Sequence, residues 1–317
     1  MRGTAIEVSG LRKAFGDKTV LDGIDLTVEA GTIFSLLGPN GAGKTTTVNV
    51  LTTLTRADGG TARVAGHDVA REAKAVRSKI GVTGQFAAVD ELLTGEENLQ
   101  LMADLQRVGR RIVPELLERF DLTGSARKPS STYSGGMRRK LDLAMTLVAT
   151  PQIIFLDEPT TGLDPRSRRT MWGIVRELVA DGVTVFLTTQ YLDEADQLAD
   201  RVAVLDQGRL VAQGTPAELK HQIPGAHVRL RFAGVRDLDA AAAALAGATR
   251  DEESLTLKVA SDGSTKSLRA LLDRLAEHEL DAEELSVHTP DLDDVFLALT
   301  GHTSALTGHT SAKGTDK

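Results

Sequence analysis

Hydrophobic positions along this chain alternate between short continuous runs and helical spacing. Apolar runs at residues 32–37, 153–156 and 183–187 are typical of strands buried on both faces of a sheet. Shorter runs at residues 6–8, 20–21 and 24–28 predict additional strands joined by tight turns. Between about residues 92 and 148 the pattern becomes helical, as in Leu99, Met102 and Leu105. The order predicts an α/β core with an inserted helical subdomain at about residues 86–150.

The last third of the chain has a different pattern, beginning at Pro224. Strand-like runs at residues 227–232, 254–259 and 284–287, with a weaker one near Thr249, alternate with helical runs at 238–245 and 268–277. This order approaches a β-α-β-β-α-β, ferredoxin-like unit. We therefore predict a core domain at residues 1–222, a small C-terminal α+β domain at 223–300 and a flexible tail at 301–317.

A glycine-rich segment separates the run at residues 32–37 from the helix that follows it. Its spacing, G-x-x-x-x-G-K-T, is the Walker A phosphate loop, and its residues are Gly38, Pro39, Asn40, Gly41, Ala42, Gly43, Lys44, Thr45 and Thr46. In this pattern the backbone N–H groups surround a polyphosphate, Lys44 reaches the β- and γ-phosphates, and the Thr45 hydroxyl ligates Mg²⁺. The chain is therefore predicted to bind a nucleoside triphosphate.

Two carboxylates, Asp157 and Glu158, end the apolar run at residues 153–156. Alone, such a pair is more often a surface feature, but parallel α/β sheets place their ligands at the carboxyl ends of strands. Next to a phosphate loop, Asp157 suits Mg²⁺ and Glu158 suits orienting or deprotonating a water molecule. We expect both to act in triphosphate hydrolysis.

Three further positions have an ordinary and a functional interpretation. Phe15 either packs in the core or stacks on a purine ring. Gln85, after the strand predicted at residues 80–83, is either solvated or functional. Ser134, Gly135 and Gly136 open a helix either as a simple N-cap or as a second phosphate site.

Composition excludes several classes of protein. The 317 residues carry a formal net charge of −7, which argues against a general nucleic-acid binder. The absence of Cys excludes disulfides and thiolate metal sites. We find neither an apolar signal segment nor a run of about 18 apolar residues. The expectation is a soluble, cytoplasmic protein that touches a membrane only through a partner.

Taken in order, these motifs resemble the nucleotide-binding subunit of an ABC transporter. The resemblance covers about residues 5–220 and also includes Leu163-Asp164-Pro165 and Gln190. The segments at residues 188–196 and 291–301 resemble the daunorubicin/doxorubicin resistance ATP-binding proteins. The resemblance implies a P-loop NTPase fold, ATP and Mg²⁺ as ligands, and ATP hydrolysis.

Site roles at matching positions follow from the same resemblance. Phe15 would stack on adenine, Gln85 would contact Mg²⁺ and signal to a membrane partner, and Glu158 would activate water. Members work as head-to-tail pairs, so a second copy would supply Asp164 and the γ-phosphate contacts Ser134, Gly135 and Gly136.

This chain departs from the family pattern at three positions. The segment around Ser134 starts with Tyr133 instead of Leu and ends with Met137 instead of Gln. Gln190 stands where a histidine usually contacts the γ-phosphate, although the subgroup's pattern accepts glutamine there. Its amide can donate and accept hydrogen bonds but cannot carry a proton.

The function implied is the ATPase subunit of an exporter for a drug or hydrophobic small molecule. It would lie on the inner face of the cell membrane, bound to a permease on a separate chain. The alternative is a soluble ABC-type ATPase acting on nucleic acid or the ribosome. Such proteins usually carry two cassettes, zinc modules or long coiled coils, so we expect no nucleic-acid partner.

The C-terminal domain offers weaker functional patterns. Residues 289–294 could form a metal site, but Thr289 as N-cap with Pro290 at the first helical position explains them better. Two histidines in the repetitive tail are a weak metal signal. A regulatory or dimer-stabilising role is our expectation for this domain.

Overall fold

The computed structural model describes residues 3–85, 87–221, 227–245, 247–261, 264–288 and 291–300. The chain divides into two compact units, one running to Pro216 and the other comprising Ala217–Gly301. Among the described residues, no helix combines the length and hydrophobicity needed to cross a bilayer. The tail residues and their histidines lie outside the described part.

In the described part of the first unit, ten strands form two sheets. In chain order they are β1 Thr4–Phe15, β2 Lys18–Glu29, β3 Ile33–Leu37, β4 Gly59–Val64, β5 His67–Asp68, β6 Ile80–Thr83, β7 Ile153–Asp157, β8 Thr184–Thr189, β9 Arg201–Asp206 and β10 Arg209–Gly214. The helices of this unit are α1 Lys44–Leu51, α2 Ala73–Arg77, α3 Gly95–Gln106, α4 Ile112–Arg119, α5 Gly135–Leu147, α6 Pro165–Ala180 and α7 Leu192–Leu198. Helix α8 Pro216–His221 begins at the boundary between the two units.

The smaller sheet is antiparallel, in the order β2-β1-β4-β5. The short strands predicted near the N-terminus were wrong in length, since β1 and β2 each contain twelve residues. Gly23, between the separate strands predicted at residues 20–21 and 24–28, lies inside β2 with φ +78°, where the pairing with β1 shifts register between Leu11 and Arg12. A glycine at such a bulge lets the strand continue.

The larger sheet has the order β10-β9-β3-β8-β7-β6 and is parallel except for β10. Phe34, Phe186 and Phe155 lie in register on its three central strands and are almost fully buried. The Phe186 ring centroid lies 5.4 Å from each of the other two. This confirms the α/β fold with buried strands that the apolar runs predicted.

Between β6 and β7, the chain forms the predicted helical region. Thr94 and Glu97 form a reciprocal capping box at the start of α3. Tyr133, the unusual residue before α5, is buried and donates a hydrogen bond to the Ser125 carbonyl at 2.7 Å. The aromatic side chain therefore serves the packing of this region.

The described residues of the second unit form four antiparallel strands and, after α8, three helices. The strands β11 His227–Arg231, β12 Thr249–Asp251, β13 Thr256–Ala260 and β14 Glu284–His288 pair in the order β12-β13-β11-β14. The helices α9 Val235–Ala244 and α10 Thr265–Glu277 complete the β-α-β-β-α-β order, and α11 Leu292–Thr300 follows. The ferredoxin-like assignment remains a prediction.

The start of α11 lies at the edge of a described stretch, directly after the positions of the predicted cap. The helix begins at Leu292. Asp291 accepts a hydrogen bond from the Asp294 amide at 2.9 Å, and Asp294 accepts one from the Asp291 amide at 3.1 Å. These carboxylates therefore cap the helix; Thr289 and Pro290 lie outside the described residues.

Replacing Phe186 should strongly destabilise the first unit. Phe186→Ala removes the middle ring of the buried row, and we expect the free energy of unfolding to fall by about 3–5 kcal/mol. Urea unfolding followed by the emission of Trp172, the only tryptophan, measures this unit. Leu105→Ala, at a side chain 67% exposed, should change stability by about 0.5 kcal/mol or less. Equal effects of the two changes would contradict this account of the core.

Candidate functional site

Four segments meet at the carboxyl edge of the parallel sheet. Thr189 pairs with Leu37, Asp157 with Thr188, and Leu156 with Thr83. The next residues along the chain therefore emerge side by side, because parallel strands end at one edge. These segments begin with the phosphate loop at Gly38 and include Gln85, Glu158 and Gln190, and the edge is the candidate site.

The phosphate loop, residues 38–46, needs glycine at two positions for steric reasons. A Cβ on Gly38 would lie 2.3 Å from the Leu205 carbonyl oxygen. Gly43 has φ +114°, and a Cβ there would lie 2.7 Å from a methyl carbon of Leu21. The loop therefore passes closer to the neighbouring strands than any side chain permits. Gly38 is anchored by an amide hydrogen bond to the Thr189 carbonyl at 3.2 Å.

Lys44, the first residue of α1, lies buried under this loop. Its ammonium group donates hydrogen bonds to the carbonyls of Gly38 at 2.8 Å and Pro39 at 3.1 Å. It also lies 3.2 Å from Glu158 Oε1. Burial lowers the pKa of Lys44, while Glu158 and Asp157 oppose that shift. A cation is thus held where the phosphates of a triphosphate would lie, in contact with the predicted base.

Asp157 and Thr45 place two oxygen groups together beside the loop. The Thr45 hydroxyl donates to Asp157 Oδ2 at 2.9 Å, and the Thr188 hydroxyl donates to Oδ1. A hydroxyl and a carboxylate are ligands that Mg²⁺ prefers. The donor set therefore fits Mg²⁺, with Gln85 the third proposed ligand, exposed two residues beyond β6.

Glu158 has a restrained backbone and a nearly buried side chain. Its φ is +49°, a left-handed conformation that few residues other than glycine adopt. Its amide donates to the carbonyl of Thr188 at 3.1 Å, and the Thr161 hydroxyl lies 3.3 Å from Oε2. These contacts aim the carboxylate at the phosphate loop.

Phe15 and Gln190 differ in how far the surrounding residues cover their side chains. Phe15, the last residue of β1, is 54% exposed, so packing in the core is excluded and the stacking hypothesis remains. The Lys13 ammonium lies 5.2 Å from its ring centroid. Gln190 is half-buried directly after β8, in line with the ends of β3 and β7.

The Ser134 and Asp164 segments meet each other instead of the phosphate loop. Ser134 caps α5 by accepting from the Met137 amide at 3.2 Å, and Asp164 caps α6. A Cβ on Gly136 would lie 2.8 Å from the Ser167 hydroxyl, so glycine allows the two helix starts to approach. Hydrogen bonds from Ser167 lower the pKa of Asp164. In the described part of the chain, no hydrogen bond or ion pair joins Ser134, Gly135 or Gly136 to residues 38–46.

Two buried ionisable residues near the site were missed from the sequence. Arg139 in α5 contacts the turn that carries Glu158. Glu194 in α7 is fully buried and accepts hydrogen bonds from Thr160 at 2.8 Å and Trp172 at 2.9 Å. Charged residues on helices are usually exposed, so their spacing alone could not identify them.

One family model and several solved structures match this chain. The family model described as ABC transporter matches residues 21–161. The solved chain "Structure of ATP binding subunit of ABC transporter" has a TM-score of 0.63 at 28% identity, covering 69% of this chain and 93% of that one. The ADP conformation of MJ1267, an ATP-binding cassette of an ABC transporter, gives 0.62 at 25% identity, covering 68% and 92%.

Three curated relatives match nearly the whole chain. Daunorubicin resistance ATP-binding protein DrrA3 of Streptomyces coeruleorubidus is 51% identical over 95% of this chain and 97% of its own length. Doxorubicin resistance ATP-binding protein DrrA of Mycobacterium tuberculosis (strain ATCC 25618 / H37Rv) is 43% identical, covering 93% of both chains. Nod factor export ATP-binding protein I of Ralstonia nicotianae is 37% identical, covering 93% and 94%.

Glu194 should make stability depend on pH. Burial raises its pKa, so the folded state binds the proton more tightly than the unfolded state. The contribution of Glu194 to folding stability is therefore fully present below pH 4.5, the pKa of the group in the unfolded chain. It is lost as the pH rises through the pKa of the folded state. Glu194→Gln, which cannot ionise, should gain stability relative to the parent between about pH 4 and pH 8.

Urea unfolding across that pH range measures the difference. Glu177→Gln, at an exposed glutamate of α6, is the matched control and should follow the parent. Parallel stability curves for parent and Glu194→Gln would show that burial of this carboxyl has no effect.

Proposed function

Because this chain belongs to the ABC transporter family, in the subgroup of daunorubicin and doxorubicin resistance ATP-binding proteins, we propose that it powers an exporter. Its family establishes it as an ATP-binding ATPase. The observation that carries the proposal is 51% identity to a daunorubicin resistance ATP-binding protein over 95% of the chain. The proposed cargo is a drug or another hydrophobic small molecule.

Family members of this kind work with a separate membrane permease. We infer that this chain binds such a permease on the inner face of the cell membrane, with Gln85 passing the state of the nucleotide to it. The exposed position of Gln85 beyond β6 supports that role. Association with the permease would make transport depend on hydrolysis at the sheet edge described above.

The chemical step uses groups already in contact. In the proposed mechanism, Lys44 turns from the Gly38 and Pro39 carbonyls to the β- and γ-phosphates, which releases Glu158 to hold the attacking water. Glu158 accepts a proton from that water as its oxygen attacks the γ-phosphorus. The bond between that phosphorus and the β–γ bridging oxygen breaks, and ADP leaves with the bridging oxygen. Bound Mg²⁺ would neutralise charge on the phosphates, and Thr45 and Asp157 would hold it. Phe15 would stack on the adenine.

A second copy of the chain would complete each site. The start of the Ser134 helix lies close to Ser167, and among the described residues no hydrogen bond or ion pair links Ser134, Gly135 or Gly136 to residues 38–46 of the same chain. This arrangement supports a role across an interface. The amides at the start of α5 would then face the γ-phosphate bound by the partner copy. ATP would hold the two copies together, and hydrolysis would release them.

Action on nucleic acid or the ribosome finds no support among the relatives. The curated proteins reported above are resistance and export ATP-binding proteins. The net charge of −7 also disfavours binding to a polyanion. Export remains the function that the observations support.

Glu158→Gln should bind ATP but nearly abolish its turnover. The amide keeps the size of the side chain but cannot accept the proton, and a general base typically contributes about 10²–10⁴-fold. Phosphate release measures hydrolysis, and light scattering should show a dimer with ATP and a shift towards monomer without it. Hydrolysis as fast as in the parent would overturn the assignment of the base.

The same variant tests export. Affinity purification from detergent-solubilised membranes identifies the integral membrane protein that accompanies the chain. Cells expressing both proteins should accumulate less daunorubicin than cells in which Glu158→Gln replaces the parent. Equal accumulation of daunorubicin and of unrelated hydrophobic dyes in both strains would contradict the exporter proposal.

Gln190 provides a separate prediction. A neutral donor beside the γ-phosphate can stabilise charge that develops during transfer. Gln190→Ala should therefore lose most ATP turnover, whereas Gln190→His should keep it. The histidine variant should also acquire a pH dependence near the imidazole pKa of about 6.5.

Steady-state ATPase rates of the three proteins across pH decide this point. The glutamine of the parent does not titrate, so the rate of the parent should not follow an imidazole titration. An alanine variant as active as the parent would mean that Gln190 is an ordinary polar residue after a strand.

A further inference from the structure

Arg139 is a buried cation one and a half helical turns beyond Ser134. It lies in α5, and only 8% of its side chain is exposed. Arginine is rarely buried unless its charge and its donors are satisfied. The partners of Arg139 therefore show what its burial serves.

The guanidinium spans two of the segments that form the site. Its Nη1 donates to the Gly84 carbonyl at 2.7 Å, immediately before Gln85. Its Nε donates to the Pro159 carbonyl at 2.9 Å, and Nη2 lies 3.2 Å and 3.3 Å from the carbonyls of Asp157 and Glu158. One rigid side chain thus joins the turn after β7 to the segment after β6.

Asp142, one helical turn further along α5, contacts the segment after β6 at a second point. Its Oδ2 lies 3.5 Å from Arg139 Nη1, and its Oδ1 accepts from the Ala88 amide at 2.9 Å. Residues 84 and 88 are therefore both tied to α5. Burial lowers the pKa of Arg139 and raises that of Asp142, while their mutual attraction opposes both shifts.

We propose that Arg139 is a positioning residue that holds the Glu158 turn and the Gln85 segment in one arrangement. The inference rests on the proposed function, in which both residues act on ATP. The positive φ of Glu158 is unfavourable for a glutamate. Hydrogen bonds from one guanidinium to the carbonyls on both sides of that residue stabilise this conformation.

The geometry predicts an effect on turnover separate from ATP binding. Arg139 contacts the backbone behind Glu158, while Lys44 and the phosphate loop have no hydrogen bond to it among the described residues. A displacement of about 1 Å at a reacting group can lower a rate by about 10²-fold. Loss of Arg139 should therefore lower kcat while the Kd for ATP stays nearly constant.

The test compares Arg139→Lys, Arg139→Met and the double variant Arg139→Met with Asp142→Asn. Lysine keeps the positive charge, but its single ammonium cannot replace the planar set of donors. The double variant removes the buried charge that Arg139→Met leaves on Asp142, so it separates positioning from charge imbalance. Arg119→Met, which removes an arginine paired with Asp181 at 2.6 Å, is the matched control.

We expect kcat to fall by about 10-fold or more in all three Arg139 variants and Kd for a fluorescent ATP analogue to change by less than about 3-fold. Arg119→Met should retain the parent kcat. Full kcat in Arg139→Lys, or recovery of the parent kcat in the double variant, would overturn the inference. Equal losses of kcat and ATP affinity in Arg139→Lys would also overturn it.

A different experimental result would show that the proposed function itself is wrong. It would appear as equal hydrolysis by the parent and Glu158→Gln, which would remove both proposals. If Glu158→Gln is inactive and the Arg139 variants are fully active, the proposed function stands and only the positioning role is wrong.

Discussion

The contact between Lys44 and Glu158 is the interaction on which the rest of the site depends. At 3.2 Å, the cation that would bind phosphate neutralises the carboxylate that would accept a proton, and both are nearly buried. Each charge would be costly to bury alone. Phosphate binding would draw Lys44 away from Glu158, so ATP itself would free the base. Before ATP binds, each of these two buried charges therefore has an opposite charge beside it.

Parallel strand register brings these two residues together from distant parts of the sequence. Gly38 and Glu158 follow β3 and β7, which both pair with β8, and α1 starts directly from the loop. The Gly38 backbone lies too close to Leu205 for any side chain. Precise placement of Lys44 thus depends on a glycine and on the sheet, and not on Lys44 alone.

The sequence predicted the elements whose rules are local. The apolar runs identified the buried strands, and the loop spacing identified the phosphate site, because each has a short characteristic pattern. The predicted lengths of β1 and β2 were wrong because a glycine can lie in a β-bulge as well as in a turn. The hydrogen-bond partners of Arg139 and Glu194 could not be predicted from the sequence, because these partners lie far from them along the chain.

These buried ionisable side chains lie where functional segments join, and this explains why their burial is tolerated. An apolar side chain at position 139 would avoid the cost of burying a guanidinium, but it could not bond four carbonyl oxygens in two segments. Glu194 likewise ties the turn at Thr160 to Trp172 of α6. Hydrogen bonds of this kind fix relative orientation, which packing alone specifies less strictly. At a site that would need Glu158, Gln85 and Gln190 in register, orientation outweighs the stability lost by burying charge.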